Sequence, residues 1–433
     1  MRIYDIIEKK RDGYTLTKEE ISFFVNEYTN ENIMDYQASA LIMAIFINGM
    51  SEEETVFLTE AMAKSGDILD LSEIDGITAD KHSTGGVGDK TSLIVAPICA
   101  SLGIKMAKMS GKGLGHTGGT IDKLESIDKY NVNISSDNFI KQVNNIGIAI
   151  IGQTGNLAPA DKKIYALRDV TATVDSIPLI ASSIMSKKIA AGAKNIILDV
   201  KCGNGAFMKD ISSATRLADL MVKIGKQCNR NTIAEITNMN IPLGTHIGNA
   251  LEIKESIEIL NNRGDKDLRQ LCLSLAANIL CASYRYDYDY SFKCAEEVLV
   301  NGKAFEKFKE LIIAQGGNIK QIEEPDLLPK SKYSYEIKSP VSGYIEKMNS
   351  KIIGECCVIL GAGREKIDDK INYGAGIILN KKTYDFVQKD DLLATIFTDK
   401  ENVINQVENL FLNSIIFSSN KPNVEPLIYK VIK

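Results

Sequence analysis

The sequence lacks any cysteine pair spaced as CxxC and any long apolar run. Its eight cysteines are scattered except for the adjacent Cys356 and Cys357, a usage typical of a reducing compartment and not of a disulfide framework or a zinc knuckle. The longest apolar run, residues 41–47, is far shorter than the ~20 residues of a membrane span. The amino terminus also lacks the apolar core of a signal peptide. We therefore predict a cytoplasmic protein.

An excess of positive charge is missing as well. The chain has 433 residues, with 51 Lys and Arg against 56 Asp and Glu. No overall field therefore draws it to nucleic acid or to a membrane, and an anion site must be built locally. With 44% hydrophobic residues, the chain can form two or three domains.

The amino-terminal pattern predicts a helical domain. Residues 1–65 form helical segments with capping boxes that begin at Thr17 and Ser51. Residues 163–192 are also helical in pattern and contain no strand signal, so we predict a small discontinuous all-helical domain of residues 1–65 and 163–192. The apolar helix at residues 36–46 has no polar face. We expect its surface to be shared between its own domain and a second subunit.

The remaining chain predicts a larger α/β domain and a carboxy-terminal module. Residues 66–162 and 193–330 form the α/β domain, in which residues 211–330 are predicted to be helical. Residues 331–433 have the alternation of antiparallel strands and predict a β-rich, hammerhead-like module attached to it. Short apolar strands that alternate with glycine loops and helices favour a mainly parallel sheet, and these strands are expected at residues 77–79, 105–109, 147–152 and 195–200.

Residues 80–92, DKHSTGGVGDKTS, lie between a predicted strand and a helix that begins near Lys90. Backbone amides at the N-terminus of a helix attract negative charge, and Lys81, Ser83 and Ser92 add further donors. The spacing is not that of a Walker P-loop. The segment predicts an anion site; the alternative is a structural turn that uses glycine for its dihedral angles.

A second glycine loop, residues 110–125, also follows a strand and precedes a helix. Gly113, Gly115 and Gly118 match GxGxxG, but no acidic residue closes a downstream strand to bind a ribose, so a dinucleotide site is disfavoured. Two such loops converge at the carboxyl edge of a parallel sheet. Together they predict a phosphate site formed by Lys81, Ser83, Ser92, Lys108, Ser110 and Thr120.

Three motifs are long enough for comparison with known families: KHSTGGVGDKTS, AKMSGKGLGHTGGTIDKLES and YALRDVTATVDSIPLIASSIMSKKIAAGA. They resemble the pyrimidine-nucleoside phosphorylases, the family that includes thymidine phosphorylase, and the resemblance covers essentially the whole chain. It implies a homodimer with phosphate on the α/β side of a closing cleft and the base on the helical side. It also implies reversible phosphorolysis in nucleoside salvage, with inorganic phosphate as co-substrate and no organic cofactor.

The resemblance also assigns roles to single residues. The six phosphate residues keep their role, and Arg168, Ser183 and Lys187 would hold the base through its carbonyl edge. His82 is the expected hydrogen-bond or proton donor to the base, so His82, Arg168 and Lys187 form the catalytic set. Without the family, Arg168 and Lys187 would be interpreted as solvated helix charges. Phe207 is expected either against the base or in the core.

The chain departs from the family at a cation site. In bacterial relatives a potassium ion is held near the first loop by backbone oxygens, a threonine side chain and a carboxylate. Gly88, Leu243, His246 and Glu255 match this shell, but Lys90 stands at the threonine position. An ammonium group there can supply the positive charge itself. We therefore predict activity that is indifferent to potassium.

Lys108 bears on specificity. The thymidine-restricted branch of the family tends to have an apolar residue at this position, whereas a lysine can bond the 2'-hydroxyl of a ribose. We predict uridine, thymidine and deoxyuridine as substrates, with a thymidine-restricted phosphorylase as the alternative. Cys202 and Asn204 also differ from the small residues usual in the family, and the sequence gives them no role.

Two alternatives belong to other classes. A phosphoribosyltransferase of related fold would need acidic residues for magnesium beside the glycines, where the sequence offers only Asp89 and Asp122. A carrier protein would use the module around residues 339–397 as a lipoyl-type domain. No lysine there is placed as an attachment point at a hairpin tip.

Overall fold

A computed structural model of the chain describes residues 1–113, 118–153, 156–364 and 369–433. Its α-helices are α1 (Ile3–Arg11), α2 (Lys18–Thr29), α3 (Asp35–Asn48), α4 (Glu52–Ala63), α5 (Thr91–Ser101), α6 (Thr120–Glu125), α7 (Ser136–Ile146), α8 (Pro159–Val170), α9 (Ile177–Ala190), α10 (Ile211–Gln227), α11 (Asn249–Leu260), α12 (Lys266–Tyr284), α13 (Tyr288–Val300), α14 (Lys303–Ala314), α15 (Lys320–Glu323), α16 (Ser350–Leu360) and α17 (Ile404–Asn413). Its strands are β1 (Thr78–Ser83), β2 (Lys105–Ser110), β3 (Ile148–Gly152), β4 (Asn195–Cys202), β5 (Asn231–Asn238), β6 (His246–Ile247), β7 (Tyr333–Lys338), β8 (Gly343–Met348), β9 (Gly376–Leu379), β10 (Phe386–Val387), β11 (Leu392–Thr398), β12 (Ile415–Ser418) and β13 (Ile428–Ile432).

Helices α1 to α4 form one hydrophobic core with parts of α8 and α9. Phe24 and Leu41 pack in the same cluster as Ile164 and Leu179, which come more than a hundred residues later in the chain. Both predicted capping boxes are present, at the N-termini of α2 and α4. Helix α9 thereby brings residues of the later segment to the face of the helical bundle.

Helix α3 is apolar on more than one side. Leu41 and Ile45 are buried in the bundle, whereas Tyr36 is 74% exposed and Ile47 is 72% exposed. The buried side explains why this helix folds without a polar stripe. Within the described ranges, no helix combines the length and apolar character needed to cross a membrane.

The α/β domain is built on a six-stranded sheet with the order β13-β5-β4-β1-β2-β3. All neighbouring pairs are parallel except β13 with β5, which is antiparallel. The predicted fold class, a mainly parallel α/β domain with a helical domain and a β-rich module, is confirmed. Because β1 and β2 are adjacent and parallel, the glycine loops that follow them meet at one edge of the sheet.

Strand β5 corrects the prediction that residues 211–330 contain only helices. The segment NTIAEITN mixes polar and apolar residues without a clear period of two, yet every residue after Asn231 is buried. Its polar side chains are satisfied by tertiary contacts: Glu235 accepts hydrogen bonds from Ser274 Oγ at 2.9 Å and Asn278 Nδ2 at 2.7 Å. Burial on both faces conceals the alternation by which a half-exposed strand is recognised.

The carboxy-terminal module contains a three-stranded sheet, β10-β8-β12, and a four-stranded sheet, β6-β9-β11-β7. Strand β6 comes from before the predicted boundary at residue 331 and pairs with β9 of the module. Conversely, strand β13 at the end of the chain pairs antiparallel with β5 of the α/β sheet. Each of the two domains therefore contributes one strand to a sheet of the other. The alternation of polar and apolar residues along the sequence does not specify such pairing between domains.

Candidate active site

Two adjoining cavities lie at the carboxyl edge of the parallel sheet. The larger has a volume of about 530 Å³ and is bounded by α8 and α9; the smaller has a volume of about 240 Å³ and lies between the glycine loops. Residues from both domains line the two cavities together, and this shared wall consists of His82, Ser83, Gly111, Lys112, Gln153, Tyr165 and Phe207. A ligand that fills both cavities would contact all of them.

The smaller cavity has the composition of an oxyanion site. Five of the six predicted phosphate residues line it: Ser83, Ser92, Lys108, Ser110 and Thr120. Ser92 lies in the first turn of α5, where unpaired backbone amides and the helix dipole favour negative charge. These five residues contribute four hydroxyl groups and one amine to a cavity of about 240 Å³, a set that suits a tetrahedral anion such as phosphate.

Lys81, the sixth predicted residue, does not line either cavity. Successive side chains of a strand point to opposite faces, and its buried side chain lies on the face of β1 opposite to His82. There its Nζ donates to Thr91 Oγ1 and lies 3.2 Å from Asp199 Oδ2. Lys81 Nζ also lies 3.9 Å from Asp89 Oδ1 of the first glycine loop. Lys81 therefore stabilises this loop on the side that faces away from the two cavities.

Asp80 and Lys188 belong to the site but were not predicted. Lys188 lines the smaller cavity, and its Nζ lies 2.7 Å from Asp80 Oδ2 and 3.1 Å from the carbonyl of Met109. The other oxygen of the same fully buried carboxylate, Asp80 Oδ1, is 3.6 Å from Lys108 Nζ. The only signal in the sequence was the position of Lys188 directly after the predicted Lys187.

Burial sets the charge of Lys108. It lowers the pKa of the Lys108 ammonium to about 7, although the nearby carboxylate of Asp80 acts to raise it. A hydrogen bond from Lys108 Nζ to the carbonyl of Lys81 at 2.5 Å fixes the side chain between β1 and β2. Lys108 can therefore exchange its proton near neutral pH, and a bound anion would favour the charged form.

The larger cavity collects the predicted base residues. Ser183 and Lys187 are one turn apart on α9, and Lys187 Nζ donates to Ser183 Oγ at 3.1 Å. Asp161, which the sequence analysis missed, accepts a hydrogen bond from Lys187 Nζ at 2.7 Å. All three line the cavity together with Arg168. The ion pair between Asp161 on α8 and Lys187 on α9 holds the ammonium of Lys187 at the wall of the larger cavity.

Arg168 is held by the backbone. Its guanidinium donates to the carbonyl oxygens of Thr173 at 3.2 Å, Val174 at 2.7 Å and Leu179 at 3.0 Å, and the side chain is nearly fully buried. Burial lowers its pKa from the ordinary value. Because carbonyl oxygens compensate only part of its positive charge, Arg168 is a fixed positive group at the cavity.

His82 lines both cavities. Burial, and after it the positive charges of Lys188 and Lys108, lower the pKa of His82 well below its ordinary value. At neutral pH the imidazole is therefore neutral, with one nitrogen that donates a hydrogen bond and one that accepts.

The Lys90 side chain fills the predicted cation shell. Its Nζ donates to the carbonyl of Leu243 at 3.1 Å, to the carbonyl of His246 at 2.7 Å and to the carboxylate of Glu255. Burial by itself would raise the pKa of Glu255, but Lys90 and the other contacts outweigh it and lower this pKa to about 2. In the described part of the chain, no group of three or more His, Cys, Asp or Glu side chains is placed to hold a metal ion.

The carboxy-terminal module contacts both the second glycine loop and the loop after β4. Asp122 accepts from the backbone amide of Gly113 at 2.6 Å and from Arg364 Nη1 at 2.8 Å. Asn204 accepts from the backbone amide of Ser350, at the start of α16, at 2.7 Å. Asn204 therefore ties the loop after β4 to the module, while nothing in the structure explains the buried Cys202. Gly115 of the GxGxxG match lies outside the described residues.

A helical bundle joined to an α/β domain, with two adjoining cavities at the carboxyl edge of the sheet, is the domain arrangement of a family of glycosyl-transferring enzymes, as the family comparisons show. Residues 4–66 match the helical bundle domain of the glycosyl transferase family, and residues 75–305 match its a/b domain. Residues 344–418 match the pyrimidine nucleoside phosphorylase C-terminal domain.

Relatives extend the match to the whole chain. Over 433 residues the chain is 52% identical to a pyrimidine-nucleoside phosphorylase of Staphylococcus haemolyticus and 51% identical to one of Geobacillus stearothermophilus, with 100% of each chain covered. The chain therefore belongs to the pyrimidine-nucleoside phosphorylase family, as its motifs predicted.

A solved structure shares the fold at low identity. Anthranilate phosphoribosyltransferase from Thermus thermophilus aligns with a TM-score of 0.58 and 15% identity, and the match covers 72% of this chain and 99% of that one. This likeness concerns the fold alone. The part of the chain that it leaves unmatched is comparable in size to the carboxy-terminal module.

Proposed function

We propose that the protein catalyses the reversible phosphorolysis of pyrimidine nucleosides to free base and a pentose 1-phosphate. One observation carries the proposal: an anion cavity lined by hydroxyl donors and Lys108 opens directly into a cavity that presents Arg168, Ser183 and Lys187. His82 lies on the wall that both cavities share. A nucleoside placed across them would direct its C1' toward the bound phosphate.

The bond changes explain the need for two cavities. A phosphate oxygen forms a bond to C1' while the bond from C1' to the base nitrogen breaks, and its electron pair passes to the base. The base leaves as an anion delocalised over its carbonyl oxygens, which then takes up a proton. Positive groups fixed in advance at those oxygens lower the barrier, which is the role we assign to Arg168 and Lys187.

We assign His82 a hydrogen bond to a base carbonyl. The lowered pKa of His82 supports this role, because a neutral imidazole donates a hydrogen bond without transferring a full proton. A hydrogen bond of this kind strengthens as charge develops on the oxygen, so it favours the transition state over the bound substrate. Ser183, one turn from Lys187, would bind a second polar atom of the ring.

We infer a homodimer that functions in the cytoplasm. Support for the dimer comes from Tyr36, Phe46 and Ile47, large apolar side chains that α3 leaves exposed. Support for a reducing compartment comes from the eight cysteines, all of which are free thiols.

Release of free base tests the function. Uridine, thymidine and deoxyuridine are each incubated with and without inorganic phosphate, and phosphate-dependent release is expected from all three. Release from thymidine and deoxyuridine alone would restrict the enzyme to deoxynucleosides. No phosphate-dependent release from any of them would contradict the proposal and direct the next assay to phosphoribosyl pyrophosphate.

Substitution of Lys108 tests the breadth of specificity. If Lys108 bonds the 2'-hydroxyl, Lys108→Met should lower kcat/KM for uridine about tenfold more than for thymidine, which corresponds to the loss of one hydrogen bond of roughly 1.4 kcal/mol. Lys105→Met is the matched control, because Lys105 lies on the same strand but bonds the carbonyl of Asn144 away from both cavities. Equal losses for both nucleosides would refute the role.

A further inference from the structure

The ammonium of Lys90 bonds three of the four groups that the family resemblance assigns to a potassium ion, and the fourth, the carbonyl of Gly88, accepts from the backbone amide of Lys90 at 3.0 Å. It contacts the carbonyl oxygens of Leu243 and His246 and the carboxylate of Glu255, a set here called the Lys90 cage. The side chains of Lys90 and Glu255 are both fully buried. Because hard cations are held by oxygen ligands and these oxygens already accept from Nζ, the residues present do not fit a bound potassium ion.

Charge balance leads to the same conclusion. The second oxygen of Glu255 accepts hydrogen bonds from Thr245 N at 2.7 Å and Thr245 Oγ1 at 2.9 Å. One carboxylate therefore faces one ammonium in the interior. A potassium ion beside them would place two positive charges against a single negative charge, where repulsion is weakly screened.

The Lys90 cage joins three segments of the α/β domain. Lys90 lies near the end of the first glycine loop, Leu243 lies between β5 and β6, and Glu255 lies on α11. The first two segments are in close contact: Leu243 N donates to the carbonyl of Val87 at 3.0 Å. A side chain at Gly88, which has a φ of +75°, would place its Cβ 2.4 Å from the carbonyl oxygen of Leu243. The cage thus fixes the loop that carries the donors of the smaller cavity.

We propose that Lys90 is a tethered cation that permanently replaces the exchangeable potassium ion, so that neither folding nor phosphate binding in this chain requires a monovalent metal. Lys90 is a positioning residue, since it acts on phosphate through the glycine loop. The claim about folding is independent of the proposed function, and the claim about phosphate binding rests on it.

The first test compares salts on the unmodified protein. Thermal unfolding and phosphate-dependent base release are measured in potassium, sodium and choline chloride at equal ionic strength. The same Tm and the same KM for phosphate are expected in all three salts. A rise in Tm or a several-fold activation specific to potassium would overturn the proposal. Because Tm is measured without catalysis, the comparison of Tm among the three salts tests the proposal even if the protein releases no base.

The second test opens the Lys90 cage. Lys90→Thr removes the ammonium and supplies a hydroxyl, so potassium should raise the Tm of this variant and lower its KM for phosphate several-fold relative to sodium. Lys90→Met, which fills the space without charge, should be less stable in every salt with no recovery in potassium. A folded Lys90→Thr protein whose Tm ignores potassium would contradict the proposal. If the variant does not fold, the salt comparison on the unmodified protein decides.

Lys254→Thr is the matched control. Lys254 is adjacent to Glu255 on α11, but its Nζ pairs with the exposed Asp326 outside the cage. The same chemical change there should leave both Tm and phosphate KM independent of potassium. A potassium response in this variant would show that the effect is not specific to the Lys90 cage and would overturn the proposal.

Discussion

Asp80 is the carboxylate that two amines of the smaller cavity share. It is fully buried, and its oxygens lie 2.7 Å from Lys188 Nζ and 3.6 Å from Lys108 Nζ. Asp80→Asn keeps the shape of the side chain but removes the negative charge. Both amines would then remain in a buried site without the carboxylate that balances them.

The size of the effect follows from these contacts. Hydrogen bonds to charged groups contribute about 1.5–3 kcal/mol, so loss of the contact to Lys188 should lower kcat/KM for phosphate about tenfold to a hundredfold. Removal of one partner of a buried ion pair costs about 3–5 kcal/mol, so the free energy of unfolding should also fall. A higher KM for phosphate, with a smaller change for the nucleoside, would identify the smaller cavity as the affected site.

The pH profile gives an independent readout. Burial lowers the pKa of Lys108 to about 7 and Asp80 acts to raise it, so the loss of Asp80 should lower this pKa further. A lysine is charged below its pKa. Activity that depends on the charge of Lys108 therefore falls as the pH rises through about 7 in the unmodified protein, and at a lower pH in Asp80→Asn.

Glu54→Gln is the matched control. Glu54 pairs with Lys10 at 2.8 Å, and both side chains are buried in the helical domain away from the two cavities. This variant should be less stable, with an unchanged KM for phosphate and an unchanged pH profile. If Asp80→Asn loses stability but keeps its phosphate KM and its pH profile, Asp80 is structural only and the reasoning is refuted.

Two further substitutions test contacts around the cavities. Arg168→Lys keeps the charge but loses the fork that bonds three carbonyl groups; kcat/KM for the nucleoside should fall about tenfold or more in steady-state kinetics, and unchanged kinetics would contradict the assignment. Arg364→Met removes the 2.8 Å contact to Asp122; KM for phosphate should rise several-fold while Tm changes little, and an unchanged KM would show that the module does not act on the glycine loop.

Much of the fold could be predicted because local signals coincide with the structure. The capping boxes at Thr17 and Ser51 begin helices at the expected positions. The predicted strands at 105–109 and 195–200 match β2 and β4 within a few residues, since short apolar runs between glycine loops identify parallel strands. Strand β5 was missed because polar residues such as Glu235 and Thr237 are satisfied by partners on elements distant along the chain.

The site was predictable where glycine loops and hydroxyl groups mark it. The smaller cavity is lined by Ser83, Ser92 and Ser110, because loops that follow adjacent parallel strands meet at one edge of the sheet. Lys81 does not line either cavity, because its side chain lies on the opposite face of β1, and its role in phosphate binding stays a prediction. Sequence patterns do not specify which face a side chain takes near the end of a strand whose first four residues are all buried.

The sequence by itself determined the family, four strands of the parallel sheet and the two glycine loops, because these depend on residues close together along the chain. The tertiary structure alone decided that Asp80 pairs with Lys188, from which it is separated by 108 positions, and that Lys90 reaches Glu255 over 165 positions. Such pairs form only when distant elements pack together. Burial then gives them their strength, because buried charges that water no longer solvates must find partners within the protein.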